Sequence, residues 1–412
     1  MSSEFLKSNR LNNLSYAIRG PVFEKAQQLE AMGQKIINLN IGNPAPFGFD
    51  VPDEIMHDMI MNLRNAQGYT HHLGIFSARK AIMHYTQQIG ISNVAIEDIF
   101  IGNGVSELIV MCMQALLNSG DEVLVPSPDY PLWTTAISLS GGTPVHYICD
   151  EESDWNPDIE DMRRKITSKT KAIVLINPNN PTGAVYERDV LESIVELAAE
   201  NNLMVLSDEI YDKILYDGHK HIPIATLNDD VFYMTFGGLS KNYRAAGFRG
   251  GWVIPSGAKS RAKSFLEGLT LLASMRLCAN APTQYAIQTA LGGYQSINDL
   301  VAPDGRLCRQ RDLVYDQLTS IPGITCVKPK GALYLFPKID LKLFNIQNDE
   351  QFVLNLLNEQ RVFVVSGKGF NHHDEAHFRV VFLPNTSVLE DASNRIGTYL
   401  DEYRYRKELI TQ

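Results

Sequence analysis

Between about residues 50 and 295 the chain alternates short, nearly continuous apolar runs with longer segments whose apolar positions recur at helical spacing. "DIFIG" precedes a helix predicted from Ser106 to Leu117, and "EVLVPSP" precedes one starting near Leu132. "KAIVLINP" is followed by a helix over Arg188–Asn201 and then by the run "LMVLSD". "VFYMTFGG" and "RGGWVIP" add two more strand-like runs. Apolar runs of this length, each followed by a helical pattern, predict an α/β fold with a mostly parallel sheet flanked by helices. Ligands bind at the carboxyl ends of such strands, and the chemically unusual stretches of this chain all fall there.

The ends of the chain have another pattern. "GITCVKPKGALYLFPKI" predicts two strands around a turn at Lys330-Gly331, and "VFVVSGKGF" and "HFRVVFLP" predict two more. A helix over Arg306–Thr319 leads into them. The expected organisation is an N-terminal segment over residues 1–50, a large domain over 51–295, and a smaller α+β domain over 296–412. The N-terminal segment, a helix followed by a Gly/Pro-rich loop, is expected to pack on the smaller domain or over the cleft.

In "FGGLSKNYRAAGFRGGW", Lys241 and Ser240 stand among glycines, with Arg249 shortly after. A solvated lysine needs no such setting; one that meets a small molecule does, because missing side chains let a ligand approach the backbone. Asp208 ends an apolar run, where a charge must be paired; it reads either as a helix N-cap or as the partner of a cation. "INPNNPTGAVY" is a stiff loop that holds Asn180 between prolines, either as a cleft-facing amide or as a plain turn. "IGNGVSELI" places Gly102 and Gly104 before a helix start, and helix N-termini bind anions. It lacks the third glycine of a dinucleotide fingerprint, so a lone phosphate is favoured, with Arg249 as its second charge. Tyr130 in "SPDYPLW" suits stacking on a flat ring, or is a rim tyrosine with no such duty. Arg379, inside an apolar strand, needs an anion from the protein or from a substrate.

"NHHDEAHF" and His71-His72 read as solvated turns with no third ligand at helical spacing, so no metal is expected. Composition narrows the picture further. The chain has 412 residues, 44% of them hydrophobic, and a net charge of −10, which argues against nucleic acid or anionic membrane as partner. Five scattered cysteines without a CxxC pair, and a polar start without an apolar leader, predict a reduced, cytoplasmic protein.

Taken together, "NPNNPTG", "DEIY", "LSKNYRAAGFRGGW" and "HFRVVFL" resemble the class I/II, fold-type I aminotransferases that use pyridoxal 5'-phosphate. "LNIGNPAPFGFD", "SMRLCANAPTQYAIQTAL" and "KGALYLFPKI" are similar to the bacterial glutamate–pyruvate branch. The resemblance implies exchange of an amino group between L-alanine and 2-oxoglutarate by a ping-pong route, with Lys241 as Schiff-base lysine and proton carrier. It implies that Asp208 faces the pyridine nitrogen, and that Tyr211 and Asn180 face the ring hydroxyl oxygen. Tyr130 would stack on the ring, and Val105, Ser106, Ser240 and Arg249 would surround the phosphate. Arg379 would clamp the substrate α-carboxylate, with Gly42 contributing a backbone contact.

The resemblance also implies a homodimer with shared sites, in which Tyr69 reaches the other subunit's phosphate. Small amino acids and 2-oxo acids are the expected partners. Arg19, beside Tyr16 in the N-terminal segment expected over the cleft, reads either as a mobile cation for a distal carboxylate or as an arginine at a surface helix start. Many relatives carry Ser or Thr where Gly238 stands here, which predicts one phosphate contact fewer. An aromatic or aspartate-type aminotransferase, or a C–S lyase on the same fold, would keep nearly all these residues.

Overall fold

The computed structural model of the chain describes residues 5–11 and 20–410, with side chains as far as 404. Its centre is a sheet with eight strands among the described residues: β2 (Phe100–Asn103), β3 (Glu122–Ser127), β4 (Thr143–Asp150), β5 (Asn156–Pro157), β6 (Thr170–Ile176), β7 (Met204–Asp208), β8 (Phe232–Gly238) and β9 (Gly250–Gly257). The spatial order is β2-β9-β8-β7-β6-β3-β4-β5. Strands β8, β7, β6, β3 and β4 run parallel. β9 runs against both of its neighbours, and the short β5 runs against β4.

The continuous apolar runs arise because both faces of this sheet are covered. Along β6, Ala172, Val174 and Ile176 enter one core while Ile173 and Leu175 enter the other. β7 divides in the same way, with Met204 and Leu206 on one side and Val205 on the other, as the two-residue period of a strand requires. The helices supply matching faces. Arg188–Glu200 buries Leu191, Ile194, Val195 and Ala198 at helical spacing. Val105–Leu116 buries Leu108, Ile109, Met111, Cys112 and Met113, a broad face that accounts for its largely apolar sequence. The helix over Arg306–Thr319 has the bounds expected from its pattern.

A separate core gathers the C-terminal elements. The N-terminal helix Pro21–Ala31 packs on them through Leu29, which meets Leu357 and Phe363. Strand β1 (Ile37–Asn38) pairs in parallel with β13 (Val362–Phe363).

The expected hairpin around Lys330-Gly331 does not form. β10 (Ile324–Thr325) pairs with β12 (Lys338–Ile339), whereas β11 (Tyr334–Leu335) joins β15 (Phe378–Val381), which also pairs with β14 (Val365–Ser366). The Lys330-Gly331 amides turn to the carbonyl of Gly183 instead, at 3.0 and 2.8 Å. A loop that satisfies a distant carbonyl cannot also close a local ladder. The buried Arg311 fastens the same seam through paired bonds to Asp217 at 2.8 and 2.9 Å. Among the described residues, no helix is long and apolar enough to cross a membrane.

Candidate active site

A cavity of ≈ 620 Å³ opens at the carboxyl edge of the central sheet. Of the residues singled out from the sequence, Gly42, Val105, Ser106, Tyr130, Asn180, Asp208, Tyr211, Ser240, Lys241, Arg249 and Arg379 all line it. The topology explains the convergence. β2, β3, β6, β7 and β8 each deliver a loop to this edge. β9 runs the other way, so its amino end, just after Arg249, lies at the same edge.

Lys241 follows β8 by three residues, and its Nζ donates to the carbonyl oxygen of Gly42 at 2.6 Å. Gly42 is brought there by the N-terminal segment. A Cβ at this position would collide with the Tyr334 hydroxyl, so glycine is what lets the segment lie so close.

Asp208 is buried at the end of β7, and burial pushes its carboxyl up to about 6. Its donors are distant: the Trp133 indole at 3.4 Å and the Ile210 amide at 3.3 Å. A carboxylate so placed, with a wall of the cavity beside it, suits a cationic partner. No helix follows Asp208: the Ile210 amide that donates to it begins a turn, so the helix N-cap alternative is not what this carboxylate does.

Gly104 stands before the helix Val105–Leu116 with φ +80°, a conformation that favours glycine. Among the described residues no side chain caps that terminus, and Val105 and Ser106 at its first turn line the cavity beside the Arg249 guanidinium. Arg249 is held by the Ala246 carbonyl at 2.7 Å and the Asn103 carbonyl at 3.3 Å. A Cβ on Gly104 would collide with that guanidinium. The cradle has the donors and the positive potential that a phosphate needs.

Gly238 belongs to the same close packing. A Cβ there would lie 2.8 Å from the Gly250 carbonyl oxygen and 3.2 Å from the Gly251 Cα, so a Ser or Thr has no seat unless β8 and β9 separate.

At the other end, Arg379 donates to the Asn180 side-chain oxygen at 2.8 Å and to the Asn40 carbonyl. Its guanidinium lies between the rings of Tyr334, at 4.4 Å, and Phe370, at 4.5 Å. The stacking fixes the plane of the fork, which suits a carboxylate. The Tyr211 and Tyr334 hydroxyls are 2.7 Å apart. Burial and the neighbouring Tyr334 hold the Tyr211 phenol well above its usual pKa, so it stays a neutral hydrogen-bond donor.

Trp133, Tyr334 and Asn40 escaped the sequence reading. Trp133 lies in an apolar helical pattern and Tyr334 in an apolar run, so neither carried a local signal of chemistry. Tyr69 is 82% exposed and does not line the cavity of its own chain. Tyr16 and Arg19 fall outside the described residues.

The expectation of a solvated turn in "NHHDEAHF" is corrected: His372 and His377 are buried, and His373 alone of the three is exposed. Trp155, Phe336 and Phe370 close over that loop.

The chain matches the family described as aminotransferase class I and II over residues 34–396. It is 60% identical over 400 residues to the glutamate-pyruvate aminotransferase AlaA of Haemophilus influenzae, covering 97% of this chain and 99% of that protein. It is 54% identical over 401 residues to an alanine aminotransferase of Mycobacterium tuberculosis, covering 97% and 94%. Among solved structures, an aminotransferase from Escherichia coli superposes with a TM-score of 0.96 at 57% identity, over 98% of this chain and all of that one.

Proposed function

The chain belongs to the class I and II aminotransferases, and from that membership we propose that it exchanges an amino group between L-alanine and 2-oxoglutarate, giving pyruvate and L-glutamate, with pyridoxal 5'-phosphate as cofactor. The observation that carries the reading is the placement of Lys241 in one cavity with the buried acid Asp208, the cradle at Arg249 and the fork of Arg379.

The residues fit the cofactor. The amides at Val105 and Ser106, with Ser240 and Arg249, would hold its phosphate. Asp208 would hold the ring nitrogen in its protonated form, Tyr211 and Asn180 the ring oxygen, and Tyr130 the ring face. Lys241 would carry it covalently between turnovers. When bound, the cofactor supplies the electron sink for the electrons released as the substrate Cα loses its proton.

The chain's own work is placement and proton transfer. Arg379 grips the α-carboxylate by its fork, and Asn180 holds the guanidinium in plane. Lys241, once its amine is free, takes the proton from Cα and returns it on the other side of the reaction. A positioned base of this kind contributes roughly 10²–10⁴-fold in rate.

Alanine leaves the far end of the site empty, whereas 2-oxoglutarate brings a second carboxylate. Among the described residues, the cationic side chains lining the cavity are Lys241, Arg249 and Arg379, each with a task already. A further cation is needed for the distal carboxylate, and we assign it to Arg19. We further propose that the enzyme is a homodimer, in which the exposed Tyr69, Phe76, Leu271 and Met275 meet a second copy and Tyr69 reaches its phosphate. The five free cysteines suit a cytoplasmic setting.

The test is a single half-reaction. Cofactor-loaded enzyme given L-alanine and no 2-oxo acid should release one pyruvate per site and stop. Added 2-oxoglutarate should then yield one glutamate. Absence of the pyruvate would leave the family standing and redirect the donor to an aromatic or acidic amino acid, or the reaction to C–S cleavage.

A further inference from the structure

We propose that His372, Asp374 and His377 form a site for one divalent transition-metal ion of the zinc type, away from the catalytic cavity. One potential ligand atom from each of the three lies within 4.8 Å of the other two. His372 is 6% exposed and His377 is 1% exposed. Among the described residues, neither ring nitrogen of His372 has a hydrogen-bond partner, nor has Nδ1 of His377. An imidazole buried in this way lacks what its nitrogens require: a proton donor, an acceptor or a metal ion.

The surroundings agree with the last of these. Nδ1 of His377 is 3.9 Å from the Asp374 carboxylate. Its Nε2 lies 3.2 Å from the Glu151 carboxylate on the other side. A histidine held by a carboxylate at one nitrogen while the other faces ligands is the arrangement that orients imidazoles toward metals. Trp155 meets both histidine rings edge-on, at 5.5 and 5.4 Å, and Phe336 stacks on His377 at 5.0 Å. These apolar walls limit water on one side.

Two nitrogens and one carboxylate oxygen suit zinc, with a fourth position for water. Bond lengths near 2.0–2.2 Å put tetrahedral ligands roughly 3.3 Å apart, so the loop must close by about an ångström or more. Lys338 competes for the site. Its Nζ is 2.7 Å from Asp374 and 3.6 Å from Glu151, so it can turn to Glu151 when an ion takes Asp374. The loop follows Phe370, whose ring covers Arg379, so the ion would brace the clamp from behind without touching substrate.

The experiment is calorimetric titration of the tag-free, cofactor-loaded enzyme with zinc chloride. One ion should bind per chain. Asp374→Asn should weaken binding at least tenfold, Lys338→Met should tighten it, and His71→Gln at the other histidine pair should leave it unchanged. No one-to-one binding in the parent, or an affinity indifferent to both the Asp374 and Lys338 substitutions, overturns the site. If Asp374→Asn does not fold, cobalt(II) decides on the parent enzyme: intense visible bands of a four-coordinate ion support the site, and the faint spectrum of the aquo ion overturns it.

Discussion

Asn371 donates its side-chain amide to the Asp129 carboxylate at 2.7 Å, joining residues 242 positions apart. Two more bonds run beside it: the Asp129 amide to the Phe370 carbonyl at 2.8 Å, and the Ser127 hydroxyl to the Asn371 carbonyl at 2.9 Å. The exit of β3, which carries Tyr130, is thereby fixed to the turn that carries Phe370. Phe370 in turn covers the Arg379 guanidinium. Asp129 is fully buried, and burial pushes its carboxyl up to about 7 against the pull of the Asn371 and Thr134 donors.

Removing the amide with Asn371→Ala should therefore act in two places. The buried carboxylate loses a donor, at a cost of about 1–3 kcal/mol that a thermal melt will read as a lower Tm. The Phe370 turn keeps its two bonds through the backbone of residues 370 and 371 but loses the third, so KM for L-alanine should rise by a small factor with kcat less affected. A lower Tm with unchanged KM would reduce the contact to a structural one.

Asp208 gives a pH signature. Its carboxyl is raised from an ordinary value near 3.9 to about 6 by burial. A raised folded-state value makes a contribution to stability that is fully present below about pH 4 and lost as pH rises through about 6. In cofactor-free enzyme, Asp208→Asn should accordingly stabilise the fold at pH 8 by about 2–3 kcal/mol and change little at pH 4. In loaded enzyme the same substitution should remove most turnover while cofactor remains. Denaturant melts at the two pH values, with a turnover assay, check both; turnover near the parent's would refute the pairing with the ring nitrogen.

Gly104→Ala tests the phosphate cradle. The new methyl meets the Arg249 guanidinium on a backbone at φ +80°. Strain of about 1–2 kcal/mol and a weakened charge-assisted bond should raise the cofactor Kd roughly 10- to 100-fold. Fluorescence titration of the stripped enzyme measures it, and an unchanged Kd would place the phosphate elsewhere.

Arg379→Lys and Arg19→Ala separate the two carboxylates. Arg379→Lys keeps the charge but loses the planar fork, so kcat/KM should fall on the order of 100-fold for alanine and 2-oxoglutarate alike. Arg19→Ala should raise KM for glutamate and 2-oxoglutarate and leave alanine nearly unchanged. Equal effects of Arg19→Ala on all three substrates would remove it from the distal carboxylate.

The sequence by itself determined what depends on short range. Buried parallel strands need apolar residues at every position, so β6 and β7 were visible as continuous runs. The Arg306–Thr319 helix announced itself by its period. Lys241 among glycines, Asp208 at a strand end and Asn180 between prolines each stand in a local setting with a physical purpose, and all three meet in one cavity.

The tertiary structure decided everything that joins distant segments. The reversal of β9 brings Arg249 to the edge where the cavity opens, yet "RGGWVIP" reads alike in either direction. Lys330-Gly331 abandoned a local hairpin for the carbonyl of Gly183. Trp133 and Tyr334 looked like core aromatics until folding set them against Asp208 and Tyr211, and the histidines after Phe370 looked solvated until Trp155 and Phe336 closed over them. Periodicity records whether a position is covered; which residue covers it depends on contacts between segments far apart in the chain, and those exist only in the folded molecule.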